Sequence, residues 1–191
     1  MRVQNTVAPV IWLTGLSGSG KTTIARQVCR ELEERGLDVE YLDGDVIRSV
    51  FPNTGFGRAD RDAHIRRIGF LASRLARHGV AVVVALVSPY RDSRAFARGL
   101  CRNFIEVHVS TPLDICEARD VKGLYAKARR GEIRQFTGID DPYEPPVDAE
   151  LVIDTSDVPL EDAVRMIMCS VDNPASRLRE PAAAAHASLT T

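Results

Sequence analysis

The sequence predicts an α/β fold: a doubly wound, five-stranded parallel sheet with helices on both faces and a mobile lid. Three observations predict it. Short apolar runs alternate with segments of helical periodicity along most of the 191 residues. Residues 80–87 (VAVVVALV) are apolar at every position, as a central parallel strand covered on both faces must be. Glycines stand where two of the helical patterns stop, at Gly36 and Gly79.

Each element follows in turn. Residues 10–14 (VIWLT) form a short apolar run ending at a glycine, which reads as a buried strand. Residues 21–35 carry Ile24, Val28 and Leu32 at four-residue spacing, a helix that Gly36 ends. A second strand spans 39–42 and closes in Asp43-Gly44-Asp45. A long helix is expected through about 60–78, with Ile65, Ile68, Leu71, Ala72 and Leu75 on one face. After the central strand, a helix near 91–100 precedes a fourth strand at 104–109, and Pro112 opens a short helix at its first turn. Residues 121–147 are charged, rich in Gly and Pro and without a long periodic face, as suits a mobile lid. A fifth strand at 151–153 and a helix at 160–170 complete one domain, 10–170. A leader, 1–9, precedes it, and a low-complexity tail, 171–191, is expected to be frayed or disordered.

Composition narrows the function classes. Hydrophobic residues make up 45% of the chain and charged residues 27%, enough for a single well-packed domain. Lys and Arg number 25 against 26 Asp and Glu, a net charge of −1. That balance argues against a non-specific nucleic-acid or membrane-surface binder, so any anion site must be built locally. Cys29, Cys101, Cys116 and Cys169 form no CxxC pair, which argues against zinc and redox motifs and fits a reducing cytoplasm. Cys29 and Cys116 lie in helical patterns and read as small buried hydrophobes. No apolar run approaches the ~20 residues that span a bilayer.

In a doubly wound sheet, ligands sit beyond the carboxyl ends of the strands. The loop after the first strand is Gly15-Leu16-Ser17-Gly18-Ser19-Gly20-Lys21-Thr22, followed by Thr23. It matches G-x-x-x-x-G-K-[ST] between a strand and a helix, the context that motif requires. Glycines let successive N–H groups turn inward on phosphate oxygens, and the helix N-terminus favours an anion there. Lys21 supplies a charge for the β- and γ-phosphates, and the Thr22 hydroxyl a ligand for Mg²⁺. The central strand ends in Ser88 rather than in a metal-binding Asp, and no Asn-Lys-x-Asp guanine reader occurs. The second strand delivers Asp43 and Asp45 to the same edge of the sheet. Asp45 suits a carboxylate that orients or deprotonates an acceptor hydroxyl. Asp43 either assists Mg²⁺ through water or caps the turn at Gly44. These features point to small-molecule phosphoryl transfer from ATP.

The order of LTGLSGSGKTT, YLDGDVIR, GFGRADRDAHIRRIGFLA, SPYRDSR, KGLYAKARRGEI and FTGIDDPYEPP resembles that of adenylyl-sulfate kinases over roughly residues 10–155. The resemblance implies that the 3′-hydroxyl of adenosine 5′-phosphosulfate (APS) attacks the γ-phosphate of ATP·Mg²⁺. The products would be 3′-phosphoadenosine 5′-phosphosulfate (PAPS) and ADP. It further implies that Phe56 and Phe136 sandwich the APS adenine and that Arg48 and Arg61 hold the phosphosulfate. Ser88 would position the reacting groups, Lys122 and the basic lid would close over the nucleotides, and Arg119 would pack on the ATP adenine. It suggests a homodimer or an assembly with ATP sulfurylase. Two residues depart from the family pattern: Val46 where Asn often follows DGD, and His64 where Asn is frequent. They keep open a kinase of the same fold for another nucleotide-like acceptor; the other alternative is a low-activity or regulatory nucleotide-binding domain associated with ATP sulfurylase. His64 would sit close to the acceptor, where its protonation near pH 6.5 matters.

Overall fold

The computed structural model describes residues 7–51 and 55–173. Most of the expected tail, and residues 1–6 of the expected leader, lie outside the described residues.

Twelve elements follow one another along the described residues: β1 Val10–Thr14, α1 Lys21–Glu34, β2 Val39–Asp43, α2 Gly44–Val50, α3 Arg58–Arg77, β3 Ala81–Ala85, α4 Arg91–Leu100, β4 Phe104–Val109, α5 Leu113–Arg119, α6 Leu124–Arg129, β5 Leu151–Ile153 and α7 Leu160–Asp172. The strands form one sheet in the order β2-β3-β1-β4-β5, every pairing parallel. The expected fold class is therefore the observed one. β1 is central, with Trp12 in register between Val84 of β3 and Glu106 of β4.

Alternation of side chains along the strands makes two cores. Ile11, Leu13, Val83, Ile105 and Val107 face α1 and α7 and pack on Ile24, Val28, Leu32 and Ile167. On the other face Val10, Trp12, Val82 and Val84 meet Ile65, Ile68, Ala72 and Ala97 of α3 and α4. Burying each of the larger aliphatic side chains stabilises the fold by roughly 1.5–3 kcal/mol. Ile65, Ile68 and Ala72 are buried as expected, and Leu71 and Leu75 pack against the edge of the same core. Cys29 and Cys116 are buried free thiols, as their helical patterns suggest.

Three local departures bear on the ligand edge. The central strand ends at Ala85 rather than at residue 87. The reason is that the Val87 carbonyl leaves the ladder to accept from Gly15 N (3.4 Å) and Thr14 Oγ1 (2.8 Å). Residues 44–50, which the sequence pattern assigns to no element, form α2, which buries none of its side chains and so carries no apolar periodicity. Its start is set by the Asp43 carboxylate, which accepts from the N–H groups of Asp45 (2.9 Å) and Val46 (3.4 Å). Residues 121–147 contain α6, nucleated when the Asp120 carboxylate accepts from Tyr125 N and Ala126 N, each at 3.0 Å. No helix among the described residues is long and apolar enough to cross a membrane.

Candidate active site

The loop between β1 and α1 is shaped by close approach and by left-handed backbone. Gly15 has φ 152°, and a Cβ there would stand 2.3 Å from the Val109 carbonyl oxygen. Gly20, at φ 98°, is the residue from which α1 starts. Within the loop Ser19 N donates to the Leu16 carbonyl (3.2 Å), while Ser17 and Gly18 lie half-buried along its rim.

Four side chains from other elements prop this loop from behind. Thr111 and Thr155 both donate to the Ser19 carbonyl, at 3.1 and 3.0 Å. Tyr125 of α6 donates to the Ser17 carbonyl at 2.9 Å. Arg119 reaches the Gly18 carbonyl at 3.4 Å and holds Thr155 through its hydroxyl (2.7 Å) and carbonyl (3.1 Å). With the Ser17, Gly18 and Ser19 carbonyls held outward, the loop's N–H groups other than those of Gly15 and Ser19, which donate to the Val87 and Leu16 carbonyls, are left for an anion.

Lys21 is buried and folds back over the loop, donating to the Leu16 carbonyl at 2.6 Å and to Ser19 Oγ at 3.3 Å. Burial pulls its pKa from 10.5 down to about 8, opposed by Cys116, Asp45 and Asp43 and reinforced by Lys122. Thr22 and Thr23 are exposed on the first turn of α1. The Tyr41 hydroxyl donates to Asp43 Oδ2 at 2.9 Å and meets the Thr22 side chain on its other side. Burial and the Asp43 carboxylate both push that phenol's pKa up, burial the more. Thr22, Tyr41 and Asp43 therefore form one chain of oxygen groups. Among the described residues no cluster of His, Cys, Asp and Glu forms a cage for a metal. A lone hydroxyl with a carboxylate behind it fits Mg²⁺, which keeps several waters and takes further oxygens from phosphates.

Across the edge of the sheet, Asp45 projects from the first turn of α2 into solvent and pairs with Lys122 at 2.5 Å. Arg48 donates to the Gly55 carbonyl at 2.7 Å and lies over the Phe56 ring, 4.7 Å from its centroid. Phe56 is 61% exposed, more than a ring anchored in the core allows. Arg61 clasps two distant segments: it donates to the Phe56 carbonyl at 2.6 Å, to Thr137 Oγ1 at 2.5 Å and to the Gln135 carbonyl. Phe136 thus stands beside the Phe56 loop, and its ring meets Tyr125 edge-on at 5.0 Å. It has a partner in the lid, where a polar loop offered none in the sequence.

His64 is 2% exposed, on the buried face of α3, with Nε2 3.3 Å from the Gly44 carbonyl. If that nitrogen donates, Nδ1 is the acceptor, and it has no hydrogen-bond partner. Burial, then Arg48, lowers its pKa. His64 lies beneath the Asp43-Gly44-Asp45 turn. Ser88 is buried at φ 38°, accepting from Trp12 Nε1 (3.1 Å) and donating to Thr14 Oγ1 (2.9 Å).

The geometry thus joins Asp45 to Lys122, Arg48 to Phe56, and Arg61 to the Phe136 turn, all at the carboxyl ends of β1, β2 and β3. Sequence reasoning did not single out Tyr41, Thr111, Tyr125 or Thr155. Thr111 and Thr155 carried a readable signal, each standing two residues past the end of a strand, β4 and β5.

A phosphate-gripping loop on one side of a cleft and a carboxylate with arginines and aromatic rings on the other define a P-loop kinase of small molecules. The adenylylsulphate kinase family model matches residues 7–154, and the chain belongs to that family. It is 53% identical over 162 residues to the adenylyl-sulfate kinase of Synechococcus sp. (strain JA-3-3Ab), covering 84% of this chain and 92% of the relative. It is 55% identical over 158 residues to that of Rippkaea orientalis (strain PCC 8801 / RF-1), covering 82% and 87%. The APS kinase of Mycobacterium tuberculosis, solved in complex with AMPPNP and APS, superposes with a TM-score of 0.83 at 41% identity, covering 86% of this chain and 98% of that one.

Proposed function

We propose that this chain transfers the γ-phosphoryl group of ATP to the 3′-hydroxyl of APS, forming PAPS and ADP. The observation that carries the reading is the pairing of a propped phosphate loop with Asp45 across the same sheet edge, in a chain about half identical to adenylyl-sulfate kinases. The relative solved with both AMPPNP and APS supports two adjacent nucleotide sites.

The residues divide the work. Main-chain N–H groups within residues 16–22, the Ser19 N–H excepted, bind the triphosphate, and Lys21 exchanges the Leu16 carbonyl for a phosphate oxygen. Thr22, backed by Tyr41 and Asp43, would hold Mg²⁺ with the phosphates; the ion supplies charge neutralisation when bound. Phe56 and Phe136 stack on the acceptor's base, each contact worth about 1–3 kcal/mol. Arg48 and Arg61 take its phosphosulfate oxygens, a role suited to the guanidinium fork. Asp45 accepts a hydrogen bond from the 3′-hydroxyl, aims its oxygen at the γ-phosphorus and takes its proton as the new P–O bond forms. Release of Asp45 from Lys122 precedes that step, and leaves Lys122 free to join the closing lid. Ser88 acts by holding the end of β3 rather than as a phosphorylated relay. Arg119 flanks the ATP adenine. The cell's reducing cytoplasm and a homodimer, or an assembly with ATP sulfurylase, complete the reading.

The test is ADP release in a coupled assay with APS against a panel of nucleoside phosphates. APS-dependent release is expected. Turnover with another nucleotide and none with APS would favour a different acceptor, the reading that His64 and Val46 motivate.

A further inference from the structure

Arg94 of α4 is 2% exposed, and nothing in the reaction as described requires it. Its guanidinium makes three hydrogen bonds, each to a different part of the fold. Nε donates to Glu106 of β4 at 2.7 Å, Nη1 to the Ser88 carbonyl at 2.6 Å and Nη2 to the Glu144 carbonyl at 2.7 Å. Glu106 is also 3.1 Å from Arg98, which is bonded to Glu150 at 2.6 Å, so the buried charges are balanced without the two carbonyls. Glu106 takes Nε; Nη1 and Nη2, buried with it, also need acceptors, and the fold supplies them from two carbonyls on segments far apart in the chain. The fork joins the end of β3 to residues 141–145, the strap that follows Phe136.

Both ends of that bridge sit at the cleft. Ser88 has a left-handed φ of 38°, unusual for a residue with a side chain, and is held by Trp12, Thr14 and Arg94 together. Such a conformation persists only where its surroundings over-determine it. The strap is tied to the same edge by Tyr90 on Asp141 (2.9 Å), Glu144 N on the Pro89 carbonyl (2.8 Å) and Tyr143 against Thr14 (3.0 Å). Asp141 in turn belongs to the turn that presents Phe136: its N–H donates to the Phe136 carbonyl at 3.2 Å, and Asp140 accepts from Phe136 N at 2.6 Å.

We infer that Arg94 is a positioning residue for the acceptor: through the Ser88 and Glu144 carbonyls it fixes the turn carrying Phe136 against the catalytic edge of the sheet. The inference rests on the acceptor reading given above. It takes residues 136–145 out of the expected lid and makes them part of the fixed wall. A misplacement of about 1 Å in a positioning element lowers turnover by on the order of 10²-fold.

The experiment compares R94K, Y90F and F136A with the unaltered chain. R94K keeps a charge for Glu106 but not the planar fork. Y90F removes only the bond to Asp141. R94K is expected to raise the KM for APS about tenfold or more, with ATP affinity, measured by direct titration, within about twofold. Y90F is expected to shift APS KM in the same direction by less. Unchanged APS KM in R94K, whatever its melting temperature, overturns the inference, as does an equal loss of ATP and APS binding. Should R94K fail to fold, Y90F decides: unchanged APS KM overturns, a selective rise supports. F136A separates this inference from the reading beneath it. If F136A leaves APS KM unchanged, Phe136 does not touch the acceptor, whatever R94K does.

Discussion

Replacing Lys21 by methionine is expected to stabilise the nucleotide-free protein while nearly abolishing its activity. Burial lowers the ammonium's pKa from 10.5 to about 8. That difference corresponds to roughly 3 kcal/mol lost from folding at pH 7, at about 1.4 kcal/mol per pH unit. The unfolded chain keeps this proton up to about pH 10.4, whereas the folded chain gives it up near 8. Between those values the unfolded state binds more protons, so stability rises with pH; below about 8 the whole penalty is present. Methionine keeps the buried stem and removes the charge. It also removes the bonds to the Leu16 carbonyl and Ser19 Oγ, each worth about 1 kcal/mol. The balance is a gain of about 1 kcal/mol, or roughly 2–4 °C in Tm for a domain of this size. Thermal melts at pH 7 without nucleotide measure it, and the advantage should shrink towards pH 10. With ATP added, the unaltered protein should gain stability in proportion to its affinity and K21M should not. Turnover in K21M should fall by on the order of 10²-fold or more, the usual effect of deleting one charge-stabilising donor. A methionine variant that melts below the unaltered protein at pH 7, or a gap that does not change with pH, would refute the reasoning.

Two other perturbations address the opposite side of the cleft. D45N should lower kcat by about 10²-fold or more while ATP still binds, because proton acceptance is lost and the phosphate loop is intact; steady-state kinetics showing a change in KM alone would leave Asp45 a binding residue. For His64, burial lowers the folded pKa, so the unfolded state binds the extra proton first as pH falls below about 6.5, and stability declines from there to the folded pKa. H64N should flatten that part of the acid limb in denaturant titrations, and identical slopes in the two proteins would remove His64 from the account.

The proposed nucleotide side can be read in the sequence because it is local. Eight consecutive residues, 15–22, contain the glycines, the lysine and the hydroxyl, and their flanking strand and helix are short-range patterns. The sheet was legible for a related reason: a strand covered on both faces has to be apolar at each position, as 81–85 is. The DGD turn was only half readable. Both carboxylates could be placed at the sheet's edge, but α2 buries nothing, so its helix leaves no trace in hydrophobic spacing. Only the structure separates the two acids, with Asp43 turned inward to cap α2 and receive Tyr41, and Asp45 outward to Lys122.

Apart from Asp45, the proposed acceptor side entered through family resemblance alone, and the contacts explain why. Arg61 and Thr137 lie 76 residues apart, Lys122 and Asp45 are separated by 77, and Thr14 and Tyr143 by 129. No local period encodes such pairs. Each depends on a polar or aromatic side chain that, read alone, suits solvent as well as a partner. The same argument explains why Arg94 escaped notice: in RDSRAFAR it is one of three arginines on a polar-looking helix, yet it is the one that α4 turns into the core. A charge taken out of water needs compensation on every side, and Arg94 finds it in Glu106 and in two carbonyls at the cleft. The buried cation and the position of the Phe136 turn are therefore one structural problem with one solution. Loosening the strap would strip Arg94 of a partner, and loosening Arg94 would free the strap. That mutual dependence is why the proposed acceptor wall, although built from a segment rich in Gly, Pro and charge, is expected to stay fixed when nucleotide binds.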